Sequence, residues 1–181
     1  PRLLLIGFTL VALPPVFALV NNAISIDRLA NRSQNEVYQA VQASQSSRRL
    51  AQLLVALERT ARQIAILDDR SLLDAYLINR RQFEQTVGEF ARLPVDAEQR
   101  TALDRIIEGE AAIYAALSKP GARGEALNPA IHRFERLSEQ SQLLVTRANA
   151  QIDREVEAMR ATADQAQRIT FWQLLALIPV V

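Results

Sequence analysis

The chain contains no cysteine and a single histidine, His132. A disulfide framework, a zinc–thiolate centre and a cysteine nucleophile are therefore excluded. His132 has Glu135 at i+3 but no second histidine, short of the three or four good ligands that a metal site needs, so no metal site is expected. A charge imbalance is missing too. With 21 basic against 20 acidic residues, the net charge of +1 gives none of the electrostatic footprint of a nucleic-acid binder, and no nucleic-acid partner is expected. No GxSxG, HExxH or EF-hand pattern occurs. The GxxG of Gly121 and Gly124, beside Lys119 and Arg123, follows no strand pattern and reads as a helix connection. No catalytic residue is expected within the chain.

Glycine and proline are also scarce: five and seven among 181 residues. Neither occurs from Val16 to Val87 or from Ala130 to Ile178. A β protein needs a turn every ~8–12 residues, so the chain is read as all-α.

The mean hydropathy of -0.01 conceals two kinds of sequence. Of the 41 charged residues, 40 lie between Asp27 and Arg168, and the exception is Arg2. Leu3 to Val20 is apolar apart from Gly7, Thr9, Pro14 and Pro15, long enough for a bilayer span. A cleaved signal peptide shares its ingredients, but an h-region usually has ~7–15 residues. A kink is expected at Pro14 and Pro15, and Arg2 favours a cytoplasmic start. Ile169 to Val181 is again uncharged, with Phe171 and Trp172 suited to a membrane interface. Its 13 residues reach only ~20 Å, so they are expected to begin a second span that continues in a longer parent protein. The expected division is residues 1–26 as a first transmembrane helix with its far end, 27–168 as an extramembrane helical-bundle domain, and 169–181 as the start of a second span.

Within the middle, Leu50, Leu53, Leu54, Leu57, Ala61, Ile64 and Leu67 recur at steps of three and four, one face of a helix. A second helix is predicted over Ser71 to Arg92, with Leu72, Leu73, Tyr76, Leu77, Phe83, Val87 and Phe90 inward; Asp68 and Asp69 offer caps, and Pro94 stops it. Asp96 and Gln99 form a capping box for a third helix, Ala97 to Leu117, burying Leu103, Ile106, Ile107, Ile113, Tyr114 and Leu117. Asn128 and Pro129 start a fourth helix, carrying Ile131, Phe134, Leu137, Leu144, Val145, Ala148, Ile152, Met159 and Ala166. The fold expected is an antiparallel four-helix bundle whose long first and fourth helices continue into transmembrane helices. The face of Val37, Ala40, Ser44 and Ser47 looks too weak to be stable alone, which predicts a parallel homodimer with paired stalks.

The arginine cluster Arg48, Arg49, Arg59 and Arg62 is a candidate for contact with an anion or an acidic partner surface. The competing reading is solvated i,i+4 pairing, as for Glu58 with Arg62.

Leu57-Glu58-Arg59-Thr60-Ala61-Arg62-Gln63 with Leu67-Asp68-Asp69, together with Phe171-Trp172-Gln173-Leu174 and the plan of span, long helix, hairpin, long helix and span, resembles the sensor region of bacterial two-component histidine kinases of the GlrK/QseE type. The family-like positions are Glu58, Arg59, Arg62, Gln63, Asp68 and Asp69. The resemblance implies a multi-pass inner-membrane protein with residues 27–168 in the periplasm, stimulated by a small ligand or a periplasmic protein. It also implies an autokinase beyond Val181 that uses ATP and Mg and phosphorylates a cytoplasmic response regulator. No cofactor is expected in the chain itself. The same plan serves the ligand-binding region of a chemotaxis receptor, and a non-signalling helical membrane protein is the third reading.

Overall fold

A computed structural model of the chain describes the backbone at residues 2–67, 69, 71–120 and 124–177, and the side chains at 34–67, 69, 71–120, 124–165, 167 and 168. Among the described residues there are α1 (Arg2–Leu67), α2 (Leu72–Ala91), α3 (Ala97–Leu117), a 3-10 turn (Gly124–Leu127) and α4 (Asn128–Leu177), with no strand. The fold is an all-helical bundle. Also among the described residues, no helix is long and apolar enough to cross a membrane. The two expected spans and the expected kink at Pro14 and Pro15 lie outside the residues whose side chains are described.

The chain divides into two units. One comprises Pro1–Val37 and Arg154–Val181. Within it, on α4, Arg160 lies 3.8 Å from Glu157 and the Thr162 hydroxyl donates to the Ala158 carbonyl at 2.8 Å. The other, Tyr38–Asp153, holds the core.

That core follows from periodicity. In α1 the stripe Leu50, Leu53, Leu54, Leu57, Ala61 and Ile64 is buried, as its spacing predicts. α2 contributes Tyr76, Phe83 and Phe90, α3 Leu103, Ile106, Ile113 and Leu117, and α4 Ile131, Phe134, Leu137, Leu144 and Ala148. Aromatic rings of this size bury ~150–250 Å² each, so Tyr76, Phe83, Phe90 and Phe134 carry much of the driving force. The expectation fails at Leu67, which is 64% exposed at the end of α1, and at Ile107, which stands one position off the α3 stripe at 36%. Leu127, from the short turn, is buried instead.

The connections are closed by local hydrogen bonds. Asp96 and Gln99 make the expected capping box: the Gln99 backbone N–H donates to Asp96 Oδ1 at 2.7 Å, and the Asp96 N–H donates to Gln99 Oε1 at 2.8 Å. Before α2, the Ser71 N–H donates to Asp69 Oδ1 at 2.9 Å. Gly124 starts the 3-10 turn at φ 51, in the left-handed region where a Cβ is penalised.

Contacts between helices fix their register. The Ser44 hydroxyl on α1 donates to Asn149 Oδ1 on α4 at 2.8 Å. Glu98 and Arg147 form an ion pair between α3 and α4. Further along the same two helices, a Cβ at Gly109 would run into Leu137 Cδ2. The face of Val37, Ala40, Ser44 and Ser47 was expected to need a second copy of the chain. Val37 is half-buried, but Ala40, Ser44 and Ser47 are buried within the single chain, where Ala43 and Ala148 pack in the same core and Asn149 satisfies the Ser44 hydroxyl.

Two glycines in helix interiors test this packing. Gly88 has open space where a Cβ would go. Gly88→Ala should therefore stabilise the chain by about 0.5–1 kcal/mol through helix propensity and lost unfolded-state entropy. Gly109→Ala should destabilise it by about 1 kcal/mol net, since overpacking of ~1–3 kcal/mol outweighs the propensity gain. Thermal melts of both variants check the opposite signs.

Candidate functional site

The α3 stripe reads Leu103, Ile106, Glu110, Ile113, Leu117: steps of three and four with a carboxylate where an apolar residue belongs. Glu110 is 2% exposed. A bare carboxylate there would cost several kcal/mol, so the surroundings must answer it.

They do so from α2. The Tyr76 hydroxyl donates to Glu110 Oε1 at 3.1 Å, and Arg80 Nε lies 3.1 Å from both carboxylate oxygens. The Arg80 guanidinium also lies over the Tyr114 ring, 4.4 Å from its centroid, in cation–π geometry. Tyr114 stacks on Tyr76 with centroids 6.3 Å apart and planes 11° from parallel. Arg80 Nη1 reaches Glu84 Oε1 at 2.7 Å, and Glu84 is half exposed. A chain of charge thus runs from the sealed carboxylate to solvent through one guanidinium.

Burial raises the Glu110 pKa above the usual carboxylate range, and Glu84 adds to this; the Arg80 charge and the hydrogen bonds from Tyr76 and Arg80 pull against it. Burial, and then the Glu110 charge, push the Tyr76 hydroxyl upward as well. The cluster contains no nucleophile or histidine and, among the described residues, no group of three or more potential metal ligands occurs. Its chemical capacity is to hold or release a proton at Glu110 while clamping α2 to α3.

The residues singled out from the sequence lie elsewhere. Arg48 is exposed and its Nη2 donates to Asn149 Oδ1 at 3.1 Å. Arg49 lines a ≈ 430 Å³ cleft with Gln42, Gln45, Ser46, Glu89 and Leu93. Arg59 and Gln63 are exposed. Arg62 binds Glu58 in an i,i+4 pair at 2.6 Å. From Arg48 to Arg59 the helix rises ~16 Å, so the four arginines do not converge on one point. Exposed Asp69 has its pKa lowered, first by the Ser71 hydroxyl and then by the Ser71 N–H; Asp68 lies outside the described residues. His132 is exposed, 3.6 Å from Glu135 Oε1.

Sequence reasoning placed Tyr76 and Tyr114 in the core but missed Glu110 and Arg80. The signal was present: a carboxylate inside the 103–117 stripe, and an arginine between Tyr76 and Phe83 on the stripe of α2.

Because folding raises the Glu110 pKa, the folded state binds its proton more tightly than the unfolded chain. The Glu110 contribution to stability is full below the unfolded value and is lost as pH rises through the folded one. Glu110→Gln keeps an acceptor for Tyr76 and removes the titration, so its melting temperature relative to the parent should climb between pH 4 and 8. Glu110→Ala strands Tyr76 and Arg80 and should cost about 3 kcal/mol. Urea melts of the full chain across that pH range check both.

No protein-family model matches the chain, and no curated protein matches it. A solved structure described as the periplasmic sensor domain of a sensor histidine kinase is similar to it, with a TM-score of 0.48 and 16% sequence identity, over 74% of this chain and 94% of that one.

Proposed function

We propose that the chain is the sensor and signalling region of a membrane-bound two-component histidine kinase, with residues 27–168 in the periplasm and both apolar ends in the inner membrane. The observation that carries this reading is the double role of α1 and α4. The helices that bear the two uncharged terminal runs also bear Leu50, Leu54 and Leu57, and Ile131, Phe134 and Leu144, of the core. A change of packing in the bundle therefore acts on the segments that would cross the bilayer.

The pairs Glu98 with Arg147 and Gly109 against Leu137, numbers rising on α3 as they fall on α4, support an antiparallel bundle. A stimulus that binds one packing better than another shifts the population between them, by no more than its differential affinity. The Glu110 layer suits such an element. A buried charge pair tolerates only arrangements that keep it paired, so it favours discrete packings over a continuum.

The parent would use ATP and Mg in its cytoplasmic part and pass phosphate to a response regulator. A homodimer would use a face other than that of Ala40, Ser44 and Ser47, which are buried in the single chain.

Two measurements on the parent protein in native membranes test the proposal. Residues 1–181 are free of cysteine, so Cys at exposed Ser138 adds one thiol to this region, and labelling by a membrane-impermeant maleimide above that of the parent without it should occur from the periplasmic side of sealed spheroplasts. Labelling with γ-labelled ATP should yield an acid-labile, base-stable phosphate. Ala161→Pro, which breaks α4 at a cost of ~3 kcal/mol or more, should change that labelling severalfold. Ser138 reactivity only after lysis, or no acid-labile phosphate, sinks the reading.

A further inference from the structure

The layer around Glu110 divides one cation between two carboxylates. Arg80 Nε is 3.1 Å from both oxygens of Glu110 on α3, and Arg80 Nη1 is 2.7 Å from Glu84 Oε1 on α2. With both carboxylates ionised, the three side chains carry one negative charge too many. A single proton cancels it.

The two carboxylates differ as places for that proton. Glu110 is sealed and Glu84 is half exposed. Burial penalises the charged form, so the proton belongs on Glu110. The groups that bear on Glu110 from α2 are Arg80, Tyr76 and Glu84, and on α3 the Tyr114 ring lies under the guanidinium. From α1 and α4, among the described residues, no titratable group acts on it.

The layer is furnished for both protonation states. The Tyr76 hydroxyl, 3.1 Å from Glu110 Oε1, donates to the carboxylate and accepts from the protonated acid, because a hydroxyl does either. Arg80 serves Glu110 only in its charged form. When that charge goes, the guanidinium still has Glu84 one turn along its own helix and the face of Tyr114 4.4 Å away.

We propose that Glu110, Arg80 and Glu84 form a proton-operated switch, in which Arg80 bridges α2 to α3 when Glu110 is ionised and pairs within α2 when Glu110 holds a proton. Protonation does not weaken the bundle. The cost of burying a charge disappears together with the cross-helix ion pair, so the folded chain gains stability while α2 loses the contact that pins its register. A neutral layer is held by apolar packing alone, which is less selective about register. Within the sensor reading this makes acidification an input to the bundle; the switch itself stands on the geometry of α2 and α3 and does not require that reading.

The test is an NMR titration of the full chain in zwitterionic nanodiscs, labelled with ¹⁵N-arginine and ¹³C-glutamate, from pH ~8 to ~4. The Arg80 Nε–H and Glu110 carboxyl signals are assigned by their absence in Arg80→Lys and Glu110→Gln. Both signals should move with one shared midpoint, above the ordinary glutamate value of about 4.3. Glu110→Gln should hold the Arg80 signal at its low-pH position throughout. Glu84→Gln, a change at a half-exposed site, removes the surplus negative charge and should move the midpoint to lower pH. The proposal is overturned if Glu110 titrates in the ordinary range, if the Arg80 signal does not follow it, or if Glu84→Gln leaves the midpoint where it was. No phosphorylation result bears on these outcomes, so the two proposals fail separately.

Discussion

The carboxylate of Glu110, set into the apolar stripe of α3, is the constraint around which the bundle is arranged. Sealed at 2% exposure, it must be ion-paired and hydrogen-bonded or it is prohibitively costly. One residue of α2 can pair with it, Arg80, and one can donate a neutral hydrogen bond, Tyr76. Both lie on the same face, one turn apart, so the demand of a single side chain sets the register of a whole helix. A slip of α2 by one turn would move both Arg80 and Tyr76 off the carboxylate.

The second determinant is the distribution of side-chain size. Part of the core is built from large rings, Tyr76, Phe83, Phe90 and Phe134; around Ala40, Ala43, Ser44 and Ala148 it is made of small residues. In that narrower part, hydrogen bonds replace area: Ser47 donates to the Ser44 carbonyl at 2.8 Å, and Ser44 and Arg48 both donate to Asn149 Oδ1. Small residues bury little apolar surface, so this part contributes less stabilisation per residue than the aromatic part. The same economy of volume at Gly109 lets Leu137 of α4 pack close against α3.

Several elements of the bundle were legible in the linear pattern because their physics is local. The capping box of Asp96 and Gln99 depends on atoms three residues apart, and the stripes from Leu50 to Ile64 and from Ile131 to Ala148 depend on helical periodicity alone. Reading failed where the outcome depended on what another helix presents. Leu67 continues its stripe faultlessly yet ends beyond the core, and the Ala40–Ser47 face looks bare until α4 covers it. The α1 arginines, adjacent in the text, stand far apart along the helix or engage local partners.

The sequence by itself determined that the chain is helical, where its connections fall, which ends are apolar, and that neither thiol nor histidine-rich chemistry operates, because each depends on composition or on spacing within a single helix. Only the tertiary structure decided that Glu110 belongs with Arg80 and Tyr76. That grouping joins residues about 30 positions apart on different helices. Their proximity is set by the register of one helix against the next, which no periodicity within either helix contains.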